Sequence, residues 1–158
     1  MNVLFLTLAF VAGAAIATQA AVNSQLAAGL GGFPITAAFL SFVVGTIALG
    51  MIAAFTGSLG APLSQIGGQP LWRYAGGLLG AGAIFCTVLL APRLGLTTLL
   101  ALVISGQLLT SIAIDHFGLL GVVSRPATPV RLVGGAIMLA GVLLALFGDR
   151  VLSARPVS

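Results

Sequence analysis

Polar side chains are scarce in this sequence, so each one inside an apolar run is a candidate for chemistry. Gln19 and Asn23 lie four residues apart in the first apolar stretch, a spacing that puts them on one helix face. Two neighbouring amides can hydrogen-bond a polar solute or glue one helix to another. Gln107, Ser111 and Asp115 recur at the same interval and form one polar stripe running toward a helix end. His116 follows Asp115 directly. A carboxylate beside an imidazole at a membrane boundary suits proton coupling or a gate. It equally suits an interfacial pair that ends the helix, with Gly118 as the stop. Gln19, Asn23, Gln107 and Ser111 are therefore candidate solute-binding groups, and Asp115 and His116 candidate coupling or gating groups.

The missing motifs narrow the chemistry further. One cysteine, Cys86, forms no disulfide framework and no cysteine-based metal site, and in mid-helix it is expected to be an inert thiol. There is no P-loop, no His-Glu-x-x-His pair and no nucleophile with a base, so no catalytic residue, metal or cofactor is assigned and enzymatic activity is not expected. Any transport would then be facilitated diffusion or coupled to an ion.

The elements that must position these groups are apolar helices. Of 158 residues, 59% are hydrophobic and 5% charged, against about 25% charged in soluble domains. Mean hydropathy is +1.24. Such a chain cannot clothe a water-facing surface. The net charge of +4 comes from six arginines and two aspartates. The arginines are scattered singly, which fits membrane-flank anchors and no nucleic-acid partner. A spanning helix needs about 20 apolar residues, and five stretches qualify: 3–22 (extending toward 28), 33–55, 72–91, 95–115 and 131–148. The third is expected to stop before Pro92. Trp72 and Tyr74 at its start suit an interfacial aromatic belt, and Asp149 with Arg150 suits a boundary ion pair. The connections 56–71 and 118–130 are too short to fold alone. Residues 1–150 thus read as a single five-helix transmembrane domain and 151–158 as a short tail. No Lys or Arg precedes the first stretch, so a cleaved signal peptide is not expected.

Five crossings put the two ends of this domain on opposite sides. Arg73, Arg125 and Arg131 then share one side; Arg93, Arg150 and Arg155 share the other. The positive-inside rule reads a difference in Lys and Arg, and here the difference is zero. Either weaker signals set one orientation, or the chain inserts both ways and works as an antiparallel pair. Small residues supply faces for close helix contact. Gly76 and Gly80 form a GxxxG, and Gly134, Gly141 and Gly148 recur every seven residues. These faces can serve packing within one chain or a dimer interface.

Several segments together resemble a known pattern. They are 19–26 around Gln19 and Asn23, Ser41 to Gly45 and Thr46, Trp72 to Gly80, and above all Gly106-Gln107 through Asp115-His116-Phe117-Gly118. The sequence is similar to the YdcZ-like family of short five-span proteins of the bacterial inner membrane, within the drug/metabolite transporter superfamily, over about residues 1–150. That resemblance implies an all-α membrane fold of EamA-like, inverted-repeat type, in which five-span chains pair as an antiparallel (inverted) dimer to make ten helices. Partners would be a small-molecule solute, membrane lipid, and a second copy or a paralogous five-span protein. The Gly134 to Gly141 spacing is similar to the glycine dimerisation face of small multidrug-resistance proteins. Those relatives carry an essential Glu in their first helix, where this chain has Gln19 and Asn23. The departure argues against proton-coupled export of organic cations.

The expected function is secondary transport of small metabolites or drug-like solutes across the bacterial inner membrane, by alternating access in an antiparallel dimer. The rival is a non-transporting interaction subunit of a larger complex. The arginine balance itself is testable. Cysteines introduced at positions 60 and 121 should each label from both faces of sealed vesicles if the chain inserts in both orientations. Labelling of every copy from one face alone would exclude dual orientation.

Overall fold

The computed structural model describes residues 2–153, without the side chains of position 61 and of 149–153. The expected Asp149–Arg150 pair and Arg155 therefore lie outside the described side chains. Among the described residues the chain is all helical. In order come α1 (Val3–Gly29), α2 (Pro34–Phe55), a short α3 (Gly60–Ser64), α4 (Ala75–Leu94), α5 (Leu96–Phe117) and α6 (Pro129–Ser153). Single 3-10 turns occupy Ile66–Gly68, Leu71–Tyr74 and Leu119–Gly121. Five of these segments are long and apolar enough to cross a membrane.

The ends of the helices follow from local chemistry. Asn2 caps α1 by accepting from the Leu4 amide at 3.1 Å. At its other end the Gly32 amide reaches the Ala27 carbonyl at 2.8 Å and the Gly31 amide reaches Ala28 at 3.2 Å. This closing pattern requires a left-handed residue, and Gly31 supplies it with φ +81°. Pro34 sits in the first turn of α2, where its missing N–H costs nothing.

One expectation needs correction. α4 does not stop before Pro92 but runs through it to Leu94. A proline ring removes one hydrogen bond and crowds the carbonyl four residues back, yet only Arg93 and Leu94 follow it, so little of the ladder is left to break. The connection 56–71 is partly helical. It holds α3 and two 3-10 turns, and the Tyr74 hydroxyl donates to the Ile66 carbonyl at 2.7 Å. The guanidinium of Arg73 lies 5.6 Å from the Trp72 ring and also bonds the Gln69 side chain. These aromatic groups thus brace the connection.

The chain divides into two compact units, Met1–Leu94 and Gly95–Ser158. In the first, α1, α2 and α4 pack on one another. The residues at their centre are Ala27, Ala37 and Val88, with Leu26 and Ile84 against them. Among the described residues Val88 is the largest fully buried side chain. In hydrocarbon there is no water to drive helices together, so close approach of small side chains does that work. In the second unit α5 packs on α6. A Cβ built on Gly135 would lie 3.4 Å from Ile112 and 3.8 Å from Leu108, so Gly135 is a point of close approach.

This packing predicts a sharp size dependence. Ala37 is 0% exposed, so Ala37→Leu should destabilise the protein by about 1–3 kcal/mol through overpacking. Gly13→Ala, where an added methyl meets nothing within 4 Å, should not destabilise. Thermal unfolding of the purified variants in detergent measures both.

Candidate functional site

The helical spacing of Gln19 and Asn23 places both on one cleft between α1 and α2. It has a volume of about 540 Å³, and Thr18, Ser41, Val22 and Leu40 are among its walls. Every lining residue is uncharged. Asn23 lies between Ala20 and Ala27 on the buried stripe of α1 and is only 4% exposed. Its Nδ2 has no hydrogen-bond partner. A buried amide left unmatched costs about 1–3 kcal/mol. Thr18, by contrast, spends its hydroxyl hydrogen on the Ala14 carbonyl at 2.9 Å. Ser41 adds a fourth polar group to the cleft, one that its position in an apolar run did not single out as a solute ligand.

A second cleft, of about 410 Å³, opens between α5 and α6. Ser111 and Asp115 line it, as their spacing on α5 requires, together with Arg125 and Arg131. The Ser111 hydroxyl donates to the Leu108 carbonyl of its own helix at 2.9 Å. Gln107 lines neither cleft; it is exposed, near the middle of α5.

The connection after α5 is folded back on the helix end. Gly118, with φ +60°, caps α5 by donating to the Ile114 carbonyl. A Cβ there would meet Ser124 at 3.2 Å and the Val122 carbonyl at 3.3 Å, so glycine also permits the close return of the chain. The returning segment then satisfies the carbonyls that a helix end leaves unpaired. The Arg125 amide donates to the Asp115 carbonyl at 2.7 Å and the Ser124 hydroxyl to the His116 carbonyl at 3.1 Å. His116 completes the strap through Nδ1, which accepts from the Ala127 amide at 3.1 Å, and its ring meets Phe117 edge-on at 4.7 Å. Position 116 thus fixes the strap that carries Arg125 to the cleft, which the residue order alone could not reveal.

The glycines separate into packed and open positions. Added methyls at Gly76, Gly134 and Gly141 would meet nothing within 4 Å, whereas one at Gly80 would meet the Phe42 ring at 3.6 Å. One at Gly148 would contact Leu144 of its own helix at 3.2 Å. Cys86 is exposed on α4. No group of three or more metal-binding side chains occurs among the described residues.

Residues 4–144 match the model of the family described as "Putative inner membrane exporter, YdcZ". The match spans most of the chain, which therefore belongs to the YdcZ family and is a multi-pass protein of the inner membrane. No curated protein and no solved structure matches it.

The strap yields a prediction. His116→Ala removes the acceptor for the Ala127 amide and should cost about 1 kcal/mol. His116→Asn, whose side-chain oxygen can stand near the position of Nδ1, should recover part of that loss. Thermal unfolding in detergent reads the difference, and equal stability of both variants with the parent would rule out the strap role.

Proposed function

We propose that this YdcZ-family chain is a secondary transporter of small, uncharged metabolites or drug-like solutes, working as an antiparallel dimer by alternating access. The observation that carries this reading is the Asn23 amide, buried and unpartnered, beside Gln19 in a cleft with uncharged walls. Buried polar groups normally find partners. A transporter has reason to leave one unmatched, because the arriving solute supplies the missing acceptor and the departing one withdraws it. The family description supports movement of a solute across the inner membrane. Absence of any charge in the cleft favours neutral solutes with an acceptor group and an apolar body.

The pairing rests on three features. The arginines are evenly divided about an odd number of spans. Gln107 is exposed near the middle of α5, where an amide facing lipid is costly and a second copy could accept it. Gly141 is open on α6, free for a helix of the partner chain. In this proposal Gln19 and Asn23 bind solute, and Asp115 with His116 gates or couples the cycle. An antiparallel pair would make from two identical chains the inverted repeats that other transporters encode in one.

The test separates function from folding. Asn23→Leu replaces a buried unmatched amide by an apolar group of similar shape, so stability should hold or rise by about 1 kcal/mol. Transport into proteoliposomes of a panel of neutral solutes should nevertheless fall at least tenfold, as it should for Gln19→Leu, with cross-linked dimer retained. Undiminished transport by the Gln19 and Asn23 variants would remove the cleft from the solute path.

A further inference from the structure

We infer that the cleft between α5 and α6 is a separate binding site for an amphiphilic anion, whose single negative head group meets Arg125 and Arg131. Five charged side chains are described, those of Arg73, Arg93, Asp115, Arg125 and Arg131, and three of the five converge on this one cleft. Among the described residues no ion pair within 4 Å joins Asp115 to either guanidinium. The site therefore keeps an uncancelled charge of +1 at its rim.

The placement of these charges is not explained by the helices that bear them. Asp115 lies in the last turns of α5 and Arg131 in the first turn of α6. A helix dipole disfavours an anion at its C-terminal end and a cation at its N-terminal end, so both residues sit against the local field. Arg125 is delivered by the strap, whose backbone is tied to the Asp115 carbonyl at 2.7 Å. Guanidinium groups match carboxylate and phosphate geometry through paired N–H donors. Leu108, Ile112 and Met138 continue the wall away from the charged rim, which gives an apolar body a place to lie. The volume of about 410 Å³ falls in the range of small-molecule sites. Asp115 has a definite part in this arrangement: its carboxylate repels a second negative group and limits the site to monoanions.

Two sources carry this head-and-body chemistry, a soluble organic anion and the head group of an anionic lipid. The test uses the full-length protein, purified in dodecyl maltoside at low ionic strength, with ligand-dependent thermal stabilisation and titration as readouts. Hexanoate is compared with hexanamide, and dioctanoyl phosphatidylglycerol with dioctanoyl phosphatidylcholine. At least one anion should bind about tenfold more tightly than its neutral counterpart. Preference confined to hexanoate identifies a soluble ligand, and preference confined to phosphatidylglycerol identifies lipid; both uphold the anion site. Arg125→Gln and Arg131→Gln should each weaken the preferred anion severalfold. Asp115→Asn should tighten it, a gain that misfolding cannot produce. Equal binding of anions and neutral counterparts, or weaker anion binding by the Asp115 variant, overturns the inference. Because the readout is binding at α5 and α6, it stands or falls apart from transport through the amide-lined cleft.

Discussion

Helices in hydrocarbon adhere only where small side chains let them come close, and this protein is arranged around that constraint. Backbone hydrogen bonds are already satisfied within each helix, so neither sheet edges nor irregular segments are available to hold the bundle. Burial of large apolar groups gains little, because lipid is as apolar as leucine. The centre of the first unit accordingly holds Ala27, Ala37 and Val88, while phenylalanines such as Phe10, Phe39 and Phe55 remain exposed. Asn23 is buried because it lies between Ala20 and Ala27 on the same face. The contact that joins the helices also buries the amide.

Polar chemistry is sorted between the two units. The α1/α2 cleft carries amides and hydroxyls without charge; the α5/α6 cleft carries a carboxylate and two guanidinium groups. A buried neutral amide can be left unmatched at a cost of about 1–3 kcal/mol, whereas an isolated buried charge would cost far more. It is consistent with this difference that Asn23 is nearly inaccessible while Asp115 is only half-buried and Arg125 and Arg131 are exposed. The strap at 118–128 extends the same logic. By closing the end of α5 with its own backbone it brings an arginine over the cleft without placing one inside a span.

The spans were legible in the sequence because uninterrupted apolar runs of this length have few other uses. The pairing of Gln19 with Asn23, and of Ser111 with Asp115, was legible because helical spacing fixes a shared face. Pro92 was misread because the penalty for proline depends on how much helix follows it, which is known only once the boundary is. Position 116 shows a different limit. Its imidazole accepts from Ala127, eleven residues on, and a contact made by a returning chain leaves no periodic trace. Arg125 and Arg131 looked like membrane anchors because each is single in the sequence; their convergence with Asp115 exists only after the strap has folded.

The glycines of α6 show how one helix can present two faces. Successive residues of an α-helix are turned by about 100°, and a step of seven returns to within about 20° of the start. Gly134 and Gly141 therefore share a face, and Gly135 points well away from both. Gly135 contacts α5 through Ile112 and Leu108, Gly134 borders the α5/α6 cleft beside it, and an added methyl at Gly141 would meet nothing within 4 Å. A heptad of glycines read as one interface thus conceals a neighbour that does the packing within the chain. Because the internal contact is already supplied, close packing in the second unit does not require the heptad face. The seven-residue glycine spacing therefore does not by itself identify which face of the helix packs within the chain.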